Sequence, residues 1–468
     1  MRLHRGLALP LAILLGCAEP RPAIPSFEHP TPTVSRRALL ELLESQNWDG
    51  LEQLFADLER RAEAAPDAEL DLALAYETFA VTTPTVGESL ETFSKVRPES
   101  ATANLLLAHF RGSSGWHARG SKWASETTDA QFREMERWHR LAEQSVARSL
   151  ELDAERMEGD LIRLDLASSY GGVSECRMLA DRLLERRPSS YRVRAELLAC
   201  LVPRWGGSYK EMDKVARDAV PLFGQNPRLA ALFGFADADR ANRALDADQY
   251  ELALEFADRA LATGEAWRFY YERGRALREL DRPLLAMAAF DRALELQPES
   301  PGVLIRRADT YLGMSELEAM QRDYELAKAV APFHSYFRWL DRRIETRAVG
   351  LRWAERHGFD RVFALGRDAW KAGRKEEAYN VLGWAAVLDP GHYEANRSLA
   401  VAAADRGNYE YSVRTWTRYL KVHPDDGRAL VERASYLEEL GETQAAASDL
   451  ERACRLGLEQ ACGSARRR

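Results

Sequence analysis

The sequence lacks a clear excess of charge of either sign. It contains 65 lysine and arginine residues and 73 aspartate and glutamate residues, which gives a net charge of -8 at pH 7. The two signs are interspersed along the chain, whereas a protein that binds nucleic acid needs basic residues concentrated on one surface. We therefore expect no DNA or RNA partner.

Recognisable catalytic and metal-binding motifs are also missing. The chain has no nucleophile elbow, no phosphate-binding glycine loop and no HExxH zinc helix. Its 9 histidines are scattered without the spacing of metal ligands, and its carboxylates fall at polar helix positions, where a solvated face is the simplest expectation. The sequence thus predicts no enzyme activity, no catalytic residue, no cofactor and no metal.

Long β-branched runs are few, and the chain is 46% hydrophobic and 29% charged, with alanine, leucine, glutamate and arginine dominant. Such a composition favours helices over sheets. Beyond the amino terminus there is no run of about 18 apolar residues, the length that a membrane-spanning helix needs. An all-α body is expected.

The amino terminus has the pattern of an export signal, with basic residues before a short apolar stretch at 7–15. The letters LLGC, ending at Cys17, resemble the lipobox of bacterial lipoproteins. This resemblance implies a signal peptide at 1–17, lipidation of Cys17 and, because Ala18 follows, anchoring at the periplasmic face of the outer membrane. The alternative is an ordinary signal peptide that contains a cysteine. A proline-rich tether is predicted at 18–34.

The carboxyl half repeats with a period of 34 residues. Pro298 and Pro332 are separated by this interval, and so are Pro390 and Pro424. Small residues recur at the same interval in three sets: Gly274 and Ala308; Gly366, Ala400 and Ala434; Ala378, Ser412 and Ala446. This pattern predicts helix pairs in which small residues let antiparallel helices approach and proline ends the second helix. Since one pair cannot bury its apolar face alone, neighbouring pairs must stack.

The period and these positions resemble tetratricopeptide repeat (TPR) proteins, and the resemblance implies an α-solenoid of TPR-like helix pairs. Repeats are predicted at 234–266, 267–300, 301–334, 359–392, 393–426 and 427–460. The resulting TPR segments, 266–334 and 359–468, are separated by an extra helix or linker at 335–358.

Residues 35–265 follow the period less closely and are predicted as a degenerate TPR-like helical domain with inserted loops. The insertions fall at 112–127 and 203–207, between the two helices of a pair. The letters GWHARG and PRWGGSY, which begin at Gly115 and Pro203, resemble signatures of an uncharacterised bacterial domain that often precedes TPR repeats. That resemblance implies no known activity.

Four cysteines remain besides Cys17. Cys176 and Cys200 each lie about twelve residues from the turn near Pro188, so antiparallel helices would bring them level. Cys454 and Cys462 resemble the spacing of disulfide-bridged cysteine-rich helical repeats, which implies a bridge between one helix and the start of the next. The alternative is four buried, reduced cysteines.

Two groups of residues are candidates for partner binding. The first group belongs to the inserted loops: Trp116, His117, Arg119, Trp123, Arg204, Trp205 and Tyr209. Aromatic residues beside arginine are frequent in binding hot spots, and the two loops could form one pocket on the same edge of the solenoid. The alternative is that the glycines make tight turns and the tryptophans only pack.

The second group lies on the first helices of the repeats, which line the concave surface in TPR proteins: Arg268, Tyr271, Arg275, Arg278, Arg367, Trp370 and Lys371. By that resemblance they form rows that suit an extended acidic peptide. The alternative is a charged, solvated helix face that contacts nothing.

The leading hypothesis is a scaffold at the outer membrane that binds an envelope protein or peptide ligand in a concave groove. The alternative is an enzyme, or a subunit of one, with a pocket at the Trp116 and Trp205 loops. The sequence leaves the oligomeric state and the identity of the partner open.

Overall fold

A computed structural model describes residues 33–80, 83–120, 126–170, 172–314, 316–331 and 336–465. The predicted lipidation site Cys17, most of the predicted tether and Trp123 lie outside these residues. Within them the secondary structure is helical and contains no β-strand, so the predicted all-α solenoid is confirmed. None of the described helices is both long and apolar enough to cross a membrane.

Most of the helices follow one another as antiparallel pairs that pack together. The first eight pairs are α1–α2 (Arg36–Glu44, Trp48–Ala64), α3–α4 (Glu69–Glu77, Pro84–Val96), α5–α6 (Ala101–Arg119, Asp129–Leu152), α7–α8 (Met157–Tyr170, Gly172–Arg186), α9–α10 (Tyr191–Cys200, Tyr209–Asp218), α11–α12 (Phe235–Asp246, Tyr250–Leu261), α13–α14 (Trp267–Glu279, Pro283–Leu296) and α15–α16 (Pro301–Gly313, Leu317–Val330).

A single helix, α17 (Phe337–His357), separates these pairs from the rest of the chain. The remaining helices are α18–α19 (Phe359–Lys371, Lys375–Leu388), α20–α21 (Tyr393–Ala404, Tyr409–Val422), α22–α23 (Gly427–Glu439, Thr443–Arg455) and α24 (Glu459–Ala465). Helix α17 contacts α15 on one side and both α18 and α19 on the other, so it joins the two sets of pairs.

Small residues let the helices of a pair approach closely. A Cβ atom added to Gly274 in α13 would lie 2.5 Å from the ring of Phe290 in α14. In α18 a Cβ on Gly366 would lie 2.8 Å from Leu382 of α19. Real Cβ atoms do not come this close to their neighbours, so each glycine leaves the space that the large apolar residue fills.

The turn inside each carboxyl-terminal pair uses glycine for a second reason. Gly373, Gly407 and Gly441 lie 34 residues apart and have φ angles of 74°, 75° and 77°. Glycine adopts this left-handed conformation without the steric cost that a Cβ atom imposes. Asp248 and Asp281 hold the same place in earlier pairs with φ of 56° and 58°, and aspartate is among the few other residues that tolerate it.

The solenoid of the first eight pairs closes on itself. Arg36 in α1 donates a hydrogen bond of 3.1 Å to the carbonyl oxygen of Val330, which ends α16 and lies 294 residues further along the chain. Gln297, just after α14, donates one of 2.6 Å to Glu77 in α3. Small rotations between successive pairs accumulate along a solenoid, and here they return the chain to its start. The concave surface therefore encloses a bore.

The carboxyl-terminal pairs fold back onto the earlier ones. Glu410 in α21 accepts a hydrogen bond of 2.8 Å from the backbone N–H of Leu284 in α14. One turn further along, Arg414 forms an ion pair of 3.1 Å with Glu316. Helix α21 is therefore covered on more than one side, and its Trp416 is fully buried.

Candidate functional site

The bore contains two adjoining cavities. The larger, about 230 Å3, lies between α3 on one side and α9 and α13 on the other. The smaller, about 160 Å3, extends along α9, α11 and α13. Both are lined by Ala199, Phe235, Trp267 and Arg268. One continuous space therefore faces the first helices of these pairs.

Three of the four predicted binding residues on α13 line this space: Arg268, Tyr271 and Arg275. Arg268 is exposed, and its guanidinium makes no hydrogen bond or ion pair with any residue in the described part of the chain. Tyr271 is half-buried and packs against Phe290 with ring centroids 6.4 Å apart. Arg268 is thus available to a partner, whereas the ring of Tyr271 also packs against Trp267 and lies under Arg275.

The other two arginines of the predicted row, Arg275 and Arg278, already form hydrogen bonds or ion pairs with neighbouring polar side chains. Arg275 donates a hydrogen bond of 2.8 Å to Glu272 and another of 2.7 Å to the amide oxygen of Asn242. Arg278 is paired with Asp309, a fully buried carboxylate in α15. The row is therefore not a continuous cationic surface, because two of its three positive charges are already neutralised.

The predicted residues on α18 lie in the carboxyl-terminal pairs, apart from the bore. Arg367 is exposed and lies over the ring of Phe363, 5.0 Å from its centroid. Trp370 is half-buried in an apolar cluster with Phe363 and Leu382, while Lys371 is exposed. This group offers exposed charge beside an aromatic surface that the fold has partly buried.

The prediction of an inserted loop at 112–127 is wrong for residues 112–119, while residues 121–125 lie outside the described part of the chain. Helix α5 continues without a break to Arg119 and has 19 residues, and α6 has 24, so extra helical turns hold the insertion. Gly115 faces α6 so closely that a Cβ there would overlap the imidazole of His139. The glycine serves helix packing and not a turn, and Trp116 is helical.

Trp116 and Trp205 nevertheless meet, with ring centroids 6.3 Å apart. Trp116 also packs against His139, with ring centroids 5.7 Å apart. Burial lowers the pKa of His139 to about 4, so this imidazole is neutral at pH 7. These rings pack against one another, which favours the structural interpretation of this group over an enzyme pocket.

The other predicted residues of the first group lie in different places. Arg204 and Tyr209 both bind the buried carboxylate of Asp239, at 2.5 Å and 2.9 Å. They therefore join the turn before α10 to α11. His117 is exposed near the end of α5, and Trp123 lies outside the described residues.

Arg192, which lines the larger cavity and which the sequence did not single out, is paired with a buried carboxylate. Glu158 in α7 accepts hydrogen bonds of 2.5 Å and 2.6 Å from the guanidinium of Arg192 in α9, and lies 2.7 Å from the ring nitrogen of His109. Burial opposes ionisation of Glu158, but Arg192 and His109 outweigh it and hold its pKa at about 2. Among the described residues, no group of three or more His, Cys, Asp or Glu side chains is placed to hold a metal ion.

Two further carboxylates, Glu77 and Glu196, line the larger cavity. Burial raises the pKa of each to about 7. The charge of Glu196 raises the pKa of Glu77 further and that of Asp165 raises the pKa of Glu196, while Arg192 opposes both shifts. Glu196 is half-buried, so the expectation of a solvated helix face does not hold for it, whereas Glu77 keeps the exposed surface that was expected. Both residues lie on the first helix of a pair, and first helices face the bore. This position was the sequence signal that could have identified them as cavity residues.

The four cysteines form two disulfides in the structure. Cys176 in α8 bonds to Cys200 in α9, with Cα atoms 6.6 Å apart, and both side chains are buried. Cys454 in α23 bonds to Cys462 in α24, with Cα atoms 4.9 Å apart. The first bond joins two successive pairs, and the second fixes the last helix to the end of the solenoid.

Three segments match the tetratricopeptide repeat family: residues 238–301, 363–412 and 403–457. The helix pairs in these segments are similar to tetratricopeptide repeats. They include pairs that line the bore as well as the carboxyl-terminal pairs. No curated protein sequence matches the chain.

Several solved structures of TPR and related helical proteins are similar to the chain. The TPR domain of P58(IPK) is 16% identical, with 86% of this chain and 97% of that chain covered and a TM-score of 0.28. The APC/C hetero-tetramer Cut9–Hcn1 is 12% identical, with 92% of this chain and 95% of that chain covered and a TM-score of 0.24. The TPR2AB domain of yeast Sti1 in its pHSP90 complex is 15% identical, with 50% of this chain and 94% of that chain covered and a TM-score of 0.23. The fold assignment rests on the helix pairs themselves.

Proposed function

We propose that this chain is a scaffold of the bacterial cell envelope that binds polypeptide partners on its concave surface. The observation that carries the proposal is the continuous space in the bore. Trp267, Arg268 and Tyr271 all line it from a single helix, α13. Arginine, tryptophan and tyrosine dominate binding hot spots, since they combine a large contact area with hydrogen-bonding groups.

Each helix pair of a solenoid buries its apolar side only against the neighbouring pairs. The long concave surface therefore stays accessible to binding partners. In this chain the TPR-like helix pairs keep Arg268 exposed while the apolar side of the same helix is buried at Phe269 and Leu277. The alternative of an enzyme pocket at Trp116 and Trp205 has less support, because those rings are in contact with each other.

Anchoring through a lipid on Cys17 at the periplasmic face of the outer membrane is part of the proposal. Its support is the export pattern of the first residues and the lipobox-like LLGC. Disulfides such as Cys176–Cys200 and Cys454–Cys462 persist in oxidising compartments, which include the periplasm.

Site-specific photo-crosslinking in cells tests the binding surface. A photoreactive residue at Arg268 reports on the bore, one at Arg367 reports on the later repeats, and one at exposed Glu255 on a second helix is the matched control. We expect the bore position to capture a defined polypeptide and the Glu255 position to capture none. Adducts of equal yield at Arg268 and Glu255 would contradict binding on the concave surface.

Lipid attachment has a separate test. Cells supplied with labelled palmitate should incorporate the label into the wild-type chain and not into a Cys17→Ser variant. The wild-type protein should then fractionate with outer membranes, and the variant should be found in the soluble periplasmic fraction. Equal labelling of both proteins would contradict anchoring at this cysteine.

A further inference from the structure

The larger cavity of the bore has an acidic end at which two carboxylates, Glu77 and Glu196, form no ion pair with the described residues. Glu196 makes no hydrogen bond or ion pair with any residue in the described part of the chain. Its accessible surface is cavity wall, since Glu196 lines this cavity and the rest of the side chain is enclosed by protein. Glu77 lines the same cavity and accepts one hydrogen bond, from the neutral amide of Gln297.

Two of the arginines near these carboxylates already make hydrogen bonds, whereas Arg268, which lines the same cavity, makes none with the described residues. Arg192 gives two hydrogen bonds to Glu158. Arg36 donates to the carbonyl oxygens of Val330 and Thr78 at 3.1 Å and 3.4 Å. The charged groups that face the two carboxylates are Arg36, His109, Glu158, Asp165, Arg192 and Arg268. Acidic groups from three helices thus share few free positive charges.

Three aromatic rings form part of the remaining wall of the cavity. Tyr191, Phe235 and Trp267 all line it, and the rings of Tyr191 and Phe235 lie 6.3 Å apart in an edge-on arrangement. Aromatic faces attract cations, and the attraction grows when water is displaced. A carboxylate beside aromatic faces is the environment that suits an alkylammonium group, which has an apolar stem and a charged end.

We infer that the acidic end of the bore binds a primary ammonium group carried by the polypeptide partner, either a lysine side chain or an amino terminus. Glu196 and Glu77 hold the charged nitrogen, and Trp267 and Phe235 cover the apolar stem. The cavity, about 230 Å3, is smaller than the roughly 300–1,000 Å3 of drug-sized ligand sites, which suits one extended side chain. This inference deepens the proposed function and rests on it for the identity of the ligand.

Small amines test the site without a partner. The probes are Nα-acetyl-lysine amide for the side chain, alanine amide for the amino terminus, and Nα-acetyl-norleucine amide as the uncharged match for lysine. Binding is followed by fluorine NMR of the full chain labelled with 5-fluorotryptophan, and a Trp267→Phe sample assigns the Trp267 resonance. At least one amine should shift this resonance saturably, and the norleucine compound should not.

Substitution identifies the groups responsible. The Glu77→Gln/Glu196→Gln double variant is expected to weaken amine binding by roughly tenfold or more, because two carboxylates that hold the ammonium are lost. Glu255→Gln, on an exposed second helix, should leave it unchanged. Far-UV circular dichroism checks that both variants remain folded. Tighter binding of the lysine probe than of alanine amide would indicate a side chain as the ligand, and the reverse order an amino terminus.

The pH dependence supplies an independent check. Ammonium groups pair with ionised carboxylates, so the affinity of the lysine probe should rise as pH increases from about 6 to about 8, because its side-chain amine, with a usual pKa of about 10.4, stays protonated. The α-amine of alanine amide loses its proton near pH 8, so this check uses the lysine probe. Loss of affinity over this interval, unchanged binding in the double variant, or no saturable shift with either amine would overturn the inference. Photo-crosslinking from Arg268 would still report on the scaffold function, so the two failures are distinguishable.

Discussion

Replacement of Glu196 by glutamine should stabilise the folded protein at alkaline pH. Burial raises the pKa of Glu196 to about 7 from a usual 4.5, so the folded state favours the protonated, neutral side chain. The stabilisation that this proton provides is complete below about pH 4.5 and is lost as pH rises through about 7. A glutamine is neutral at every pH and avoids that loss.

The size of the effect follows from the same shift. The difference between 4.5 and about 7 corresponds to about 3 kcal/mol at about 1.4 kcal/mol per pKa unit. Water in the cavity screens part of this energy, so we expect the Glu196→Gln variant to gain about 1–2 kcal/mol at pH 8 and almost nothing at pH 4.5.

Urea unfolding of both proteins at the two pH values measures this change, with circular dichroism as the signal. The exposed Glu255→Gln variant is the matched control and should show no gain at either pH. The reasoning would be refuted if Glu196→Gln gave no stabilisation at pH 8, or if it gave the same stabilisation at both pH values. The second result would indicate a packing effect and not a charge effect.

Core packing, helix approach and the first disulfide each give a measurable change in stability. Phe290→Ala removes a fully buried ring and should cost about 3–5 kcal/mol in urea unfolding, whereas exposed Leu285→Ala in the same helix should cost under about 0.5 kcal/mol. Gly115→Ala places a methyl group on a neighbouring imidazole and should cost about 1–3 kcal/mol in thermal unfolding; unchanged stability would exclude that close contact. Loss of the Cys176–Cys200 bond in a double alanine variant should cost about 2–4 kcal/mol, and non-reducing peptide mapping of the wild type should recover the bonded pair.

Closure of the bore brings the acidic and aromatic side chains to the same cavity. Glu77 reaches the larger cavity because α3 returns to face α9 and α13. Gln297 and Arg36 hold this closure through hydrogen bonds to Glu77 and Val330. A partner that enters the bore must therefore fit between helices far apart in the sequence, and the closure restricts which partners can do so.

Local features of the fold could be predicted because their causes lie within one repeat. The interval between Gly373, Gly407 and Gly441 equals the repeat length, and each of them adopts the left-handed turn. Gly274 and Phe290 pack as the small and large members of one pair. The prediction failed at Gly115, because a glycine in the sequence indicates either a turn or a close helix contact, and only the position of His139 distinguishes them.

The period of the sequence predicted the helix pairs, and the spacing of Cys176 and Cys200 about the turn near Pro188 predicted that they lie level. The Cys454–Cys462 bridge was implied by a resemblance to cysteine-rich helical repeats, and four reduced cysteines were the alternative. Tertiary structure alone decided which charges remain free, because Arg278 is neutralised by Asp309 from the following repeat. It also decided that the concave surface closes, since the contact between Arg36 and Val330 joins residues 294 positions apart. That contact depends on the sum of small rotations between many pairs, and no pattern within one repeat records such a sum.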